Sequence, residues 1–430
     1  MTLIKKLLLV TFGVYSLSDV VTSETFIFDS LLGKLNDIPQ YAATLGKLNF
    51  TELMEKYSLL PSNISEDGKR NFTELANAYG HQCEEYNVTT EDGYVLNIFH
   101  IPGKGRPYLL NHGLVASSDC FALRKNNSLA FILAAKGHDV WIGNTRGNDY
   151  SLSHIKLDAH KDTEYWNFSL HENGYYDYPA FIDFILKETG QEKVTIIGHS
   201  QGTINTFVLG SVRPEYNDKI NLFVALAPVA YFKPKGILRS IIDIVPANMV
   251  YSELKELGIV QFYGDRVIRK FIQSLCTQKT GSYEICWETS IFPFIGNDAE
   301  SYEQEFSNVL AGHFPQTIPT KTVCHFAQFT KRNKFAQFDY GTAENVIRYG
   351  ATTPPEYDLS NVTMKVALFV GANDYMATIE GADKIKAKLP NVVEYEILPR
   401  KQFNHFDFIF GNRVQENFYP YLFDVLDKYP

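Results

Sequence analysis

Apolar positions along the chain fall into two rhythms. Residues 108–110, 139–142, 194–197, 222–226, 366–370 and 393–398 are short, mostly apolar runs of strand length, and runs without a polar face suit strands buried on both sides of a parallel sheet. Between them, 127–136, 178–188, 203–212 and 380–388 carry apolar residues at helical spacing, and 412–428 predicts a closing helix. Ahead of this alternation, 85–88 and 94–100 are β-rich runs flanking Glu91-Asp92-Gly93, whose Asp-Gly pair signals a hairpin. The expected fold class is α/β: a mostly parallel open sheet with an antiparallel start and helices on both faces.

One interval breaks the cadence. Well over a hundred residues separate the strand ending near Ala227 from the strand starting near Lys365, too long for a structureless loop, so an inserted subdomain is expected. Within it Ile237, Leu238, Ile241, Ile242 and Val245 share one helical face, and Ile291-Phe292-Pro293-Phe294-Ile295 forms an apolar cluster. At the other end, Lys5 and Lys6, the apolar run 7–15 and Val21-Thr22-Ser23 read as a secretory signal cleaved after Ser23. The run is too short for the roughly 20 residues that cross a bilayer. The expected division is signal peptide 1–23, a polar lead 24–80 with a helical patch at 50–57, a first core part 81–228, an inserted cap 229–362 and a second core part 363–430. Nothing in the lead has catalytic character, and it is read equally as trimmed or as wrapped round the domain.

Composition narrows the compartment and the partners. The chain has 430 residues, 45% of them hydrophobic, enough for one large domain with an insertion. A net charge of -9 without a basic stripe excludes a nucleic-acid partner. Asn-x-Ser/Thr sequons at Asn49, Asn63, Asn71, Asn87, Asn126, Asn167 and Asn361 point to glycosylation and export. Five cysteines leave at least one unpaired within the chain; Cys276 and Cys286, which close a short turn-rich loop, are the expected bridge, with Cys83, Cys120 and Cys324 unassigned.

The chemistry centres on Gly198-His199-Ser200-Gln201-Gly202. Alone, Gly-x-Ser-x-Gly arises by chance in roughly one chain in eight of this length. Here a strand precedes it and a helix follows, as a nucleophile elbow requires, with Ser200 in strained backbone and glycines where strand and helix cross. A serine hydroxyl needs a base, and the base needs an orienting acid. In chain order these are Asp374, just past the strand at 366–370, and His405, between the last strand and the closing helix. Asp407 stands too close in sequence to His405 to reach behind its ring, and His199, His313 and His325 read as packing or satisfied core histidines. The oxyanion of an acyl-transfer intermediate needs two donors, expected from the N–H groups of Gln201 and, in Asn111-His112-Gly113-Leu114-Val115, of Leu114. Neither His-Glu-x-x-His nor Cys-x-x-Cys occurs, so no metal or other cofactor is expected.

These residues together resemble the acid lipase family, that of gastric lipase and lysosomal acid lipase. The likeness spans about Asn71 to Asp427 and rests on Thr90-Glu91-Asp92-Gly93-Tyr94, Asn111-His112-Gly113-Leu114, Asp139-Val140-Trp141-Ile142-Gly143-Asn144, Gly198 to Gly202, Ala225-Leu226-Ala227-Pro228-Val229-Ala230 and Asn404-His405-Phe406-Asp407-Phe408-Ile409. It implies an α/β-hydrolase fold, Ser200, Asp374 and His405 as a triad, Leu114 and Gln201 as oxyanion donors, a cap with a movable lid, and the Cys276–Cys286 bridge. Departures are the absence of a further lid cysteine beyond Cys286, a divergent stretch 262–296 and a longer lead before Asn71.

The function expected is a secreted or lysosomal lipase cleaving neutral-lipid esters, triacylglycerol or sterol ester, at a lipid–water interface without a cofactor. A carboxylesterase for soluble short-chain esters is the nearest rival, distinguished by comparing monomeric with emulsified substrate. A catalytically silent lipid-binding or storage protein would fail to react with a fluorophosphonate.

Overall fold

The computed structural model describes residues 62–244, 247–264, 266–278 and 283–430. The signal sequence, the patch at 50–57, Asn49 and Val245 lie outside the described residues. The strands are β1 (Glu84–Thr89), β2 (Tyr94–Ile101), β3 (Pro107–Asn111), β4 (Asp139–Gly143), β5 (Ser153–His154), β6 (Val194–His199), β7 (Ile220–Leu226), β8 (Gln261–Phe262), β9 (Ile318–Pro319), β10 (Val366–Val370) and β11 (Val392–Ile397). The longer helices are α1 (Phe72–Ala78), α2 (Leu129–Ala135), α3 (Tyr178–Thr189), α4 (Gln201–Val212), α5 (Gly236–Ile244), α6 (Ala247–Glu256), α7 (Arg266–Cys276), α8 (Gln304–His313), α9 (Thr320–Arg332), α10 (Thr342–Tyr349), α11 (Ile379–Lys386) and α12 (Tyr419–Lys428).

The main sheet runs β1-β2-β4-β3-β6-β7-β10-β11, with β5 on β2. The β1–β2 hairpin is antiparallel, turned by Gly93 at φ 97°, and β2 is also antiparallel to β4. From β4 onward every pair is parallel, which makes this an α/β-hydrolase fold. The apolar runs become strands for the reason their pattern implies: β3, β4, β6 and β10 are buried along their whole length, with helices covering both faces. The expected closing helix at 412–428 is broken, into a turn at Val414–Asn417 and α12. Pro420 lies in the first turn of α12, where its missing N–H is tolerated, and Phe418 at φ -133° interrupts the helix before it.

Between β7 and β10 the chain runs through α5 to α10 and the antiparallel β8–β9 ribbon. Of the apolar face on α5, Ile242 is buried whereas Ile237, Leu238 and Ile241 stay partly exposed. Phe292, Pro293 and Ile295 are buried, and Trp287 stacks on Tyr302 at 4.4 Å. Cys276 and Cys286 form a disulfide. Residues 62–79 wrap the domain: Asn71 and Glu74 make a reciprocal capping box that starts α1, and Phe72 stacks on Phe99 at 4.8 Å within the core.

Candidate active site

The elbow forms because β6 delivers Ser200 to the start of α4 with no room for a side chain on either flanking glycine. Ser200 sits at φ 52°, ψ -113°, a strained conformation for a non-glycine residue. It is held there by its N–H donating to Leu226 O at 3.0 Å and by its carbonyl accepting from Thr203 N at 2.9 Å and Thr203 Oγ1 at 2.6 Å. A Cβ on Gly198 would fall 2.8 Å from Gly202 O, and one on Gly202 only 2.6 Å from Asn111 O. The elbow and the end of β3 therefore touch backbone to backbone.

Ser200, His405 and Asp374 come from three strand ends and meet in one line. His405 Nε2 lies 2.8 Å from Ser200 Oγ, and His405 Nδ1 lies 2.8 Å from Asp374 Oδ2. The second carboxylate oxygen of Asp374 accepts from the N–H groups of Met376 and Ala377, both at 2.8 Å. These bonds fix the carboxylate's direction without touching the histidine. All three side chains are buried.

The neighbouring candidates take the supporting places. His199 Nε2 donates to the His405 carbonyl at 2.9 Å, tying the histidine loop to the elbow. Burial, with His405 nearby, holds the His199 ring neutral, its pKa lowered to about 3. Asp407 turns away from His405 and accepts from Asn404 N at 2.7 Å and Tyr302 OH at 2.7 Å. Its burial raises its pKa to about 6. The same hydroxyl lies 2.9 Å from Asn404 Oδ1, so that Asp407 and Asn404 share its one proton, and a residue from between β7 and β10 braces the loop that carries His405. That brace was missed in the sequence, since nothing local links Tyr302 to a partner 105 residues away. His325 is a satisfied core histidine between Ser169 Oγ and Ala336 O, and His313 pairs with Asp119 at 2.8 Å.

The loop after β3 runs directly against Ser200: a Cβ on Gly113 would lie 3.0 Å from His199 Nδ1 and 3.2 Å from Ser200 Cβ. Among the described residues neither Leu114 N–H nor Gln201 N–H donates to any protein group. Beside them lies a small cavity walled by His112, Val115, Thr145, Arg146, Gln201 and Thr322. Of the sequons, Asn63, Asn71, Asn87, Asn126 and Asn361 are exposed, whereas Asn167 is half-buried, with its Oδ1 accepting from Lys321 and its Nδ2 donating to Glu164. Among the described residues no cluster of His, Cys, Asp or Glu could hold a metal, and no helix is long and apolar enough to cross a membrane.

Comparison with known proteins agrees with this fold. A family model of the α/β hydrolase fold matches residues 107–411, and one described as a partial α/β-hydrolase lipase region matches residues 72–125. Lipase 1 of Drosophila melanogaster is 37% identical over 357 residues, covering 82% of this chain and 78% of its own. Gastric triacylglycerol lipase of Mus musculus is 36% identical, covering 79% and 87%, and lipase member K of Homo sapiens is 34% identical, covering 82% and 89%. A crystal structure from Sulfolobus solfataricus shares the fold at a TM-score of 0.52 and 14% identity, covering 80% of this chain and 94% of its own. The chain belongs to the acid lipase family of the α/β hydrolases and is a serine hydrolase, a lipase.

Proposed function

We propose that this lipase cleaves the carboxylic ester bonds of neutral lipids, triacylglycerol or sterol ester, through an acyl-enzyme on Ser200. The observation that carries the reading is the unbroken chain Ser200 Oγ, His405 Nε2, His405 Nδ1, Asp374 Oδ2, with 2.8 Å at each hydrogen bond. His405 takes the Ser200 proton as Oγ attacks the ester carbonyl, and Asp374 stabilises the imidazolium and holds the ring in its tautomer. The tetrahedral oxyanion is met by the N–H groups of Leu114 and Gln201. His405 then protonates the departing alcohol, and a water deprotonated by the same ring releases the fatty acid.

The insertion acts as a cap over the strand ends, its partly exposed Ile237, Leu238 and Ile241 supplying an apolar surface suited to lipid. The triacylglycerol named for the gastric relatives supports the substrate class. Secretion or delivery to the lysosome is supported by the leader-like first 23 residues and by five exposed sequons. Ser200→Ala is expected to abolish hydrolysis of both emulsified triacylglycerol and a soluble ester while leaving the thermal transition in place. Activity that persists on either substrate refutes the assignment.

A further inference from the structure

His112 is buried, lies outside the triad and makes four hydrogen bonds, three of which have their direction set by the partner. The Gly113 carbonyl, 2.9 Å from Nδ1, can only accept, so Nδ1 carries the proton. On the other side Thr145 N–H at 3.3 Å and Asn148 Nδ2 at 3.1 Å approach Nε2, and both donate, so Nε2 is bare and the Thr145 hydroxyl, also at 3.3 Å, is turned to donate to it. The ring is thus locked as the neutral Nδ1–H tautomer by the loop after β4.

That tautomer acts on one particular peptide unit. In a planar trans peptide the C=O of one residue and the N–H of the next point in opposite directions. A donor seated on the Gly113 carbonyl therefore aims the Leu114 N–H to the other side, and the Gly113 backbone itself lies against Ser200 and His199. Gly113 has no side chain to resist rotation, and among the described residues the one other donor to its carbonyl, Ala116 N–H, is long at 3.4 Å.

We infer that His112 is a positioning residue for catalysis: its Nδ1–H holds the Gly113–Leu114 peptide in the orientation that presents Leu114 N–H to the oxyanion. The inference rests on the reading of Leu114 as an oxyanion donor. Protonation works against the arrangement, because an Nε2–H would face the two donors Thr145 N–H and Asn148 Nδ2 and would have to turn the Thr145 hydroxyl round to accept from it. The charged and titratable groups around the ring are Asp119 from the turn after the loop, His199 from β6, and Arg146, which is already paired with Asp92 and Asp177. Burial dominates among their effects and lowers the His112 pKa to about 4.

Two variants separate the roles of the two ring nitrogens. In His112→Asn the amide nitrogen replaces Nδ1 and still reaches the Gly113 carbonyl, whereas in His112→Gln the amide replaces Nε2 and the Gly113 bond is lost. With a soluble monomeric ester, His112→Gln is expected to lose about 10²-fold in kcat at nearly unchanged KM, the cost of one misdirected oxyanion donor. His112→Asn should stay within about tenfold of the native enzyme, and its kcat should fall less steeply than the native enzyme's below about pH 4. Equal activity of the native and Gln enzymes overturns the inference, as does an equal loss in both variants or the same acid slope in the native and Asn enzymes. Should either variant fail to fold, ¹⁵N spectra of histidine-labelled native enzyme read the tautomer directly, and a His112 ring protonated at Nε2 alone overturns it equally. If Ser200→Ala also kept activity, the site itself would be at fault; if only the His112 result failed, the site would stand.

Discussion

Adding a single methyl group at Gly202 probes how tightly the Ser200 elbow and the loop after β3 are joined. The new Cβ would sit 2.6 Å from Asn111 O and 3.1 Å from both Asn111 C and His112 O. Ordinary contact begins near 3.4 Å, so elbow and strand end must part by 3.4 - 2.6, about 0.8 Å. None of the three atoms belongs to a flexible side chain. Asn111 is the last residue of β3 and leads straight into His112-Gly113-Leu114, so the displacement moves Leu114 N–H relative to Gln201 N–H and Ser200 Oγ. A misplacement of about 1 Å costs on the order of 10²-fold in rate. Folding should suffer less: overpacking costs about 1–3 kcal/mol, and alanine in place of a helical glycine returns up to about 1 kcal/mol. Gly202→Ala is therefore expected to remain folded and to lose about 10²-fold in kcat, with KM for a soluble ester little changed. Steady-state kinetics beside a urea melt checks this; a kcat within about threefold of the native enzyme would refute the claim that backbone contact sets the site's geometry.

Tyr302→Phe removes the hydroxyl shared by Asp407 and Asn404. It should lower stability by about 1–3 kcal/mol by leaving a buried acceptor short of a donor, and lower kcat by about tenfold as the His405 loop loosens; an unaltered melt and rate would show that the brace is idle. His313 has its pKa set by burial, which lowers it, and by the hydrogen bond and charge of Asp119, which outweigh burial and raise it overall. Its contribution to stability is then fully present below the unfolded value of about 6.5 and is lost as pH rises through the raised folded value. Thermal midpoints followed from about pH 5 to about pH 8 should fall more steeply in the native enzyme than in His313→Leu, and parallel curves would contradict this.

Much of the site was legible because α/β folds deliver chemistry at strand ends in chain order. The runs 194–197 and 366–370 located β6 and β10, and Ser200, Asp374 and His405 followed at their tips or in the loop after β11. The supporting residues were not legible for a physical reason. Tyr302 meets Asp407, and Asp119 meets His313, across 105 and 194 residues, and such pairs leave no periodic trace in a single sequence. His112 was visible as part of a motif, but its tautomer depends on Thr145 and Asn148, which approach only after β3 and β4 pair in register. The half-exposed face of α5 was misleading in the opposite sense, since an amphipathic pattern announces an apolar stripe without saying what covers it.

In mechanical terms the segment 62–79 is a tie rod between the two halves of the molecule. Its inner end is sunk in the sheet's core through Phe72 and Leu75. Its outer end grips the insertion where Ser65 N–H donates to Asn308 O at 2.9 Å, where the Asp67 carbonyl accepts from His313 Nε2 at 2.8 Å, and where Asn63 bonds Thr277 beside the disulfide. Tyr150 joins the same knot, accepting from Phe72 N–H and donating to Asp119. Moving the insertion as one body would have to break these bonds or pull on the segment that Phe72 anchors in the core.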